Sequence, residues 1–255
     1  MIRFAALGSG SRGNAMVIES GATRVLLDCG FGPREVEQRL ARLGLSCEDI
    51  DAVVVTHEHG DHIGGVARCA GRFGWPVYLT YGTGAAGFGA TNDILVEVID
   101  GRTQFSIGDL EFLPFPVPHD AREPVQYAFS DGAVTLGVLT DVGESTPHIV
   151  DMLSGCAALV LECNHDELML ASGNYPYSLK QRVAGRLGHL SNNAAATLLR
   201  QLDVGHLQHL IAAHLSEKNN TPELARSALA KVMGCAPDWI GIARQDAGFD
   251  WRSIG

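Results

Sequence analysis

Residues 52–65 read Ala52-Val53-Val54-Val55-Thr56-His57-Glu58-His59-Gly60-Asp61-His62-Ile63-Gly64-Gly65, an apolar strand running straight into four metal-competent side chains. Imidazole nitrogen and carboxylate oxygen suit zinc and neighbouring first-row divalent ions, and groups packed this tightly are poorly solvated and mutually repulsive without a cation. In extended chain His57 and His59 leave the same face, while Gly60 lets the backbone bend and Asp61-His62 opens a helix. Two divergent donor pairs then start two adjacent metal sites. The competing reading, an exposed histidine-rich turn that binds metal adventitiously, is disfavoured by the density of the pattern.

Outward from that stretch, 255 residues at 46% hydrophobic fit one large α/β domain over 1–255, with no linker, repeat or low-complexity segment. Strand-like runs fall at 3–7, 15–19, 24–28, 52–56, 77–79, 110–117, 125–129, 134–140, 158–162 and 207–213, and helical patterns at 33–43, 62–72, 179–187, 192–202 and 222–233. Strands in two clusters, each followed by helices, predict two packed sheets with helices on the outer faces. Metal ligands then come from strand ends.

Gly8 interrupts the N-terminal apolar run before a signal-peptide core can form, and no run approaches the length of a membrane span. A soluble, cytoplasmic protein is expected, with no membrane partner. The six cysteines (Cys29, Cys47, Cys69, Cys156, Cys163 and Cys235) contain no C-x-x-C pair and read as reduced thiols without a catalytic role. The net charge of -10 argues globally against a polyanionic partner. Its distribution argues otherwise: between Glu167 and Asp203 there is no acidic residue, while Lys180, Arg182, Arg186 and Arg200 are basic, so a cleft beside this segment is a candidate positive surface.

Gly8-Ser9-Gly10-Ser11-Arg12-Gly13 matches the G-x-G-x-x-G dinucleotide fingerprint, with Asp28 following. Only residues 14–19 precede the Ser20-Gly21 turn, so no helix follows to receive a pyrophosphate. No nucleotide cofactor is expected. A tight hairpin whose backbone N–H groups face substrate is the better reading. Further on, three metal-competent residues each end an apolar strand: His119 after Phe-Pro-Val-Pro, Asp141 after Leu-Gly-Val-Leu-Thr and His214 after Leu-Ile-Ala-Ala.

Taken in order, Asp28 in Leu-Leu-Asp-Cys-Gly, the run from His57 to His62, His119, Asp141 and His214 resemble the motif series of the metallo-β-lactamase fold superfamily over most of the chain. The resemblance implies a four-layer αββα sandwich of two mixed β-sheets and two divalent metal ions, zinc or manganese. By it His57, His59 and His119 bind one metal, Asp61, His62 and His214 bind the other, Asp141 bridges them, and Asp28 steadies the ligands from behind. Residues 7–14, 162–166, 188–192 and 214–220 look like the YycJ/WalJ family of bacterial nucleases. His189, in a His-x-Ser turn, resembles the histidine that RNase Z-type enzymes place at the scissile phosphate. Neither the inserted domain of the RNase J type nor a tRNA exosite arm is legible.

The expectation is therefore a metal-dependent exonuclease on nucleic acid, DNA rather than RNA. Hydroxide held between the metals attacks phosphorus in line, Asp61 and Asp141 orient it, and His189 binds a phosphoryl oxygen or protonates the leaving oxygen. Ser11, Arg12, Lys180, Arg182, Arg186 and Lys218 are candidate substrate contacts, and Tyr175 and Tyr177 candidate base-stacking surfaces. A small-molecule cyclic phosphodiesterase is the leading alternative. Thioester hydrolysis of the glyoxalase II type shares the ligand set but leaves the His189 turn without a purpose. Glu162, His165 and Asp166 stand in a matching segment without an assigned role, and nothing in the sequence sets an oligomeric state.

Overall fold

The computed structural model describes residues 1–88 and 94–255. In chain order its elements are β1 (Ile2–Gly8), β2 (Ala15–Ser20), β3 (Thr23–Leu27), α1 (Pro33–Arg42), β4 (Ala52–Val54), α2 (Gly60–Ile63), α3 (Val66–Phe73), β5 (Val77–Thr80), α4 (Tyr81–Gly87), β6 (Val96–Ile99) and β7 (Phe105–Ile107). There follow β8 (Leu110–Pro116), β9 (Val125–Ser130), β10 (Thr135–Leu139), α5 (Pro147–Leu153), β11 (Ala158–Glu162), α6 (Glu167–Ser172), α7 (Tyr177–Val183), α8 (Asn192–Leu199), β12 (His209–Ala213), α9 (Pro222–Met233), β13 (Gly241–Ile242) and β14 (Phe249–Ile254).

The strands form two seven-stranded sheets, ordered β14-β1-β2-β3-β4-β5-β6 and β13-β12-β11-β10-β9-β8-β7. Both are mixed: β1 to β3 and β7 to β10 pair antiparallel, while β3 to β6 and β10 to β13 pair parallel. Alternation along each strand sends one set of side chains between the sheets and the other outward. Phe4, Ile18, Val25 and Val54 meet Phe112, Tyr127, Leu136 and Val160 in the central layer. Outside the first sheet, Leu26, Val53 and Val77 pack on Val36 and Leu40 of α1 and on Val66 and Ala70 of α3. Outside the second, Leu159, Leu161 and Leu210 pack on α5, α8 and α9 through Ile149, Leu198 and Leu229. These three apolar layers make the expected αββα sandwich.

The α9 boundaries follow from local chemistry. The Thr221 hydroxyl accepts from the Leu224 N–H at 3.2 Å, Pro222 opens the first turn, and Gly234 ends the helix at φ 64. The single helix expected over 62–72 is instead α2 followed by α3, because at Gly65 the chain passes so close to the β3–α1 loop that a Cβ would lie 1.7 Å from the Phe31 carbonyl oxygen. Gly60 plays a smaller part than expected. It takes ordinary helical geometry, and a Cβ there would meet nothing within 4 Å. The expected helix at 179–187 is displaced to α7, and the strand at 207–213 begins only at His209. Among the described residues no helix is long and apolar enough to cross a membrane.

The parallel strands point their C-terminal ends toward one rim, where the loops after β3, β4, β10, β11 and β12 converge. Backbone bonds lock the β4 loop there: Asn14 N–H to the Asp61 carbonyl at 2.7 Å, Cys29 N–H to the His62 carbonyl at 2.8 Å and Gly65 N–H to the Cys29 carbonyl at 2.8 Å.

Candidate metal centre

Among the described residues three non-glycine positions have left-handed backbone: Asp28 (φ 58), Asp141 (φ 54) and His214 (φ 54). Each directly follows the end of a strand or lies two residues beyond it, and each carries a side chain turned into the rim. Such a conformation costs on the order of 1 kcal/mol, least for Asp, Asn and His, and it persists where surrounding structure fixes it. Here it re-aims a donor at the end of an otherwise regular strand.

The donors gather in groups. His57 Nε2 and His119 Nε2 each lie 3.1 Å from His59 Nδ1. Nitrogens at the corners of a tetrahedron around zinc, with bonds of roughly 2.0–2.1 Å, stand about 3.3 Å apart, so this spacing suits a shared cation. Asp61, His62 and His214 form a second group, with His214 Nε2 3.4 Å and His62 Nε2 3.6 Å from Asp61 Oδ2. Asp141 lies between the groups: Oδ2 is 3.0 Å from His62 Nε2, and Oδ1 is 3.6 Å from His214 Nε2 and 4.0 Å from His119 Nε2. Its Oδ2 is buried with only the His62 ring nitrogen in reach and no well-aligned hydrogen bond among the described residues, which a protein tolerates for an ionised oxygen where a cation takes the place of donors. The residues present therefore fit divalent metal.

Behind the donors a layer of acceptors orients the rings. Asp28 receives the Thr56 N–H at 2.8 Å and the Thr56 hydroxyl, and its Oδ2 holds His62 Nδ1 at 2.7 Å. The Gly188 carbonyl faces His119 Nδ1 at 3.1 Å. Glu162, fully buried at the end of β11, does the same for two rings at once: Oε1 is 2.9 Å from His189 Nδ1 and 3.3 Å from His214 Nδ1, while Oε2 accepts the N–H groups of Val142 and Leu190 at 3.1 Å. Sequence reasoning left Glu162 without a role. Its signal was a single acidic residue closing the all-apolar run Ala158-Leu159-Val160-Leu161. Asn14 was missed too: its Nδ2 lies 3.0 Å from His62 Nε2 and 3.3 Å from Asp61 Oδ2.

Electrostatics divide the histidines. Burial, with the neighbouring histidines, lowers His57 and His119, leaving neutral rings with free lone pairs. At His62 burial is outweighed by Asp141 and Asp28, and at His214 by Asp141, Asp61 and Glu162, so His62 rises well above its usual value and His214 rises to about 10. Against the same burial, His214 and His62 hold Asp141 well below the carboxylate range, and His189 and His214 hold Glu162 down at about 2. A divalent ion entering this cluster must displace protons from His62 and His214.

A cleft of ≈ 380 Å³ opens over the donors, lined by Ser11, His59, Asp61, Asp141, Tyr175, Leu179, Arg182, His189 and His214 among others. Ser11 and Arg182 of the candidate substrate contacts face it. Arg12, Lys180, Arg186 and Lys218 are not among its lining residues, and neither is Tyr177. In the 8–13 turn the Ser9 N–H is taken by the Arg244 carbonyl, Gly10 N–H by Asn14, Arg12 N–H by Gln245 and Gly13 N–H by the Gly10 carbonyl, so Ser11, which lines the cleft, is the position to which the expected contact with substrate narrows. The turn joins β1 to β2, and no helix follows it. His165 and Asp166 lie beside β11. Asp166 caps α6 through the Met169 N–H at 2.9 Å, and His165 bridges to Ser191.

An αββα sandwich with histidine and aspartate donors collected at one rim is a frame for divalent metal, and the relatives make its class a metal-dependent hydrolase. The comparisons place it further. Residues 23–214 match the model of the beta-lactamase superfamily domain. The chain is 34% identical over 239 residues to exodeoxyribonuclease YycJ of Bacillus anthracis, covering 91% of this chain and 89% of that one. It is 31% identical over 246 residues to exodeoxyribonuclease WalJ of Streptococcus pneumoniae, covering 94% and 91%. The solved metallo-beta-lactamase fold protein YhfI from Bacillus subtilis superposes with a TM-score of 0.74 over 99% of this chain and all of that one at 15% identity, a likeness of fold. The chain belongs to the beta-lactamase superfamily, in the YycJ/WalJ family.

Proposed function

We propose that this chain is a cytoplasmic phosphodiesterase of nucleic acid, an exonuclease on DNA that works with two divalent ions, zinc or manganese, in one domain spanning 1–255. The observation that carries this reading is the two donor groups, His57/His59/His119 and Asp61/His62/His214, with the Asp141 carboxylate between them beneath a cleft that His189 also enters. The two relatives named as exodeoxyribonucleases, matched along nine tenths of the chain, support it. So does the cleft volume, near the lower end for ligand pockets and suited to one nucleotide at a chain end.

His57, His59 and His119 would hold one ion, Asp61, His62 and His214 the other, with Asp141 common to both. When bound, such ions supply Lewis acidity that acidifies water and neutralises charge on the phosphoryl oxygens. Asp61 and Asp141 face the cleft as acceptors and orient the attacking water through its hydrogens. Glu162 occupies His189 Nδ1, so Nε2 is the nitrogen left for substrate. Burial alone would lower His189, but Glu162 and Asp141 raise it, which keeps a proton on the ring for the leaving oxygen or for a hydrogen bond to phosphate.

End-labelled single- and double-stranded DNA and RNA, incubated with the protein and zinc or manganese, test the proposal. Release of the end label from DNA is the expected result. Turnover of a thioester with no diester cleaved would contradict it, and turnover of cyclic nucleotides alone would move the activity to small phosphodiesters.

A further inference from the structure

The basic residues near the rim differ in what they have left to give. Arg12 spends Nη2 on Glu217 and Asp246 at 2.8 and 2.9 Å. Arg186 commits Nε and Nη2 to Glu144 at 3.0 and 2.6 Å. Lys180 Nζ donates to the Ala171 carbonyl at 2.6 Å, and Lys218 Nζ sits 5.6 Å from the centre of the Tyr175 ring. Arg182 alone among these lines the cleft. It uses only Nε, donated to Asp120 Oδ2 at 2.6 Å, and neither Nη has a hydrogen-bond partner among the described residues.

Asp120 is well placed to aim that guanidinium. It directly follows His119, its Oδ1 lies 3.7 Å from His59 Nε2 and 3.6 Å from His119 Nε2, and its N–H donates to the Leu187 carbonyl at 3.0 Å. The arginine is thus referenced to the metal donors through one short loop. Its own helix, α7, buries no residue, so polar ties hold it rather than apolar packing: His189 N–H to the Val183 carbonyl at 2.9 Å, and His119 to the Gly188 carbonyl. Arg182 is 62% exposed, and an ion pair this open contributes little to stability. Its geometry instead leaves a two-pronged donor over the cleft, the arrangement that matches two oxygens of a phosphate.

We propose that Arg182 anchors a backbone phosphate neighbouring the one that is cleaved, gripping it with both Nη groups while Asp120 holds Nε. The proposal rests on the nuclease reading and gives it a substrate requirement: a strand carrying a second phosphate beyond the scissile one. A lysine cannot make both contacts.

Binding of a fluorescent single-stranded DNA dodecamer to the full-length, metal-free protein, followed by anisotropy over a range of salt, tests this. Arg182→Ala should weaken binding about tenfold or more and reduce the salt slope by about one phosphate contact. Arg182→Lys should fall between Arg182→Ala and wild type, and Arg186→Ala should stay within about twofold of wild type. Arg182→Ala within twofold of wild type, or Arg186→Ala as damaging as Arg182→Ala, overturns the proposal, as does weakened binding with an equal loss in melting temperature. Release of an end label from single-stranded DNA by the metal-loaded wild type reads the nuclease proposal separately, so failure of one is distinguishable from failure of the other.

Discussion

Glu162→Gln changes one oxygen to an amide nitrogen at almost constant volume, in a site where both carboxylate oxygens are in use. If the amide oxygen stays on the backbone side, the NH2 faces His189 Nδ1 and His214 Nδ1, and donor meets donor. The rings relieve this by moving their protons to Nε2, which at His214 fills the lone pair that faces Asp61 and Asp141. Loss of such an orienting partner costs roughly 10–100-fold in metal affinity. If the amide turns the other way, the N–H groups of Val142 and Leu190 lose their buried acceptor, at about 1–3 kcal/mol each. The first arrangement is cheaper, so Glu162→Gln should fold with a melting temperature near that of wild type and bind metal about 10–100-fold more weakly. At saturating metal its turnover should still fall by roughly 10²-fold, because His189 loses the anion that keeps its proton. Competition with a chelating dye gives the affinity, and diester turnover gives the rate. Wild-type affinity together with wild-type turnover would refute the role assigned to Glu162.

Gly30→Ala would place a Cβ 2.0 Å from the Asp61 carbonyl oxygen, a backbone atom that cannot rotate away; a loss of about 1–3 kcal/mol or more by thermal melting and weaker metal binding are expected, whereas Gly60→Ala should melt like wild type. In chelated protein His214 carries a value raised to about 10 from 6.5, so its contribution is complete below 6.5 and is lost as pH climbs toward 10. The chelated protein should accordingly melt lower at pH 10 than at pH 7. Metal binding at pH 7 should release protons from His62 and His214, measurable by calorimetry in buffers of different ionisation heat, and a release of zero would contradict the charge pattern of the site.

The parts of the fold that lay open in the sequence are those where burial and period coincide. β11 matches its expected bounds, and α9 was bounded by Thr221-Pro222 and Gly234. What stayed hidden was set by tertiary contact. β14 is an edge strand whose Asp250, Arg252 and Ser253 face solvent, β6 is an edge strand with exposed Glu97 and Val98, and β13 is two residues long. α4 contains Gly82, Gly84 and Gly87, a composition that argues against a helix until Thr80 caps it through the Thr83 N–H. At the site, the clustering of His57 to His62 was visible because it is local. The pairing of Glu162 with His189 and His214, and of Arg182 with Asp120, joins residues far apart in the chain, and no local pattern announces it.

The most direct test is the metal content of the purified protein, measured by mass spectrometry on the sample whose diester turnover is followed. Two ions per chain, activity lost on chelation and restored on reloading, and fewer ions with no turnover in His59→Ala would agree with a centre built from these donors. A protein that binds no divalent ion, or that cleaves diesters undiminished after chelation, would contradict it.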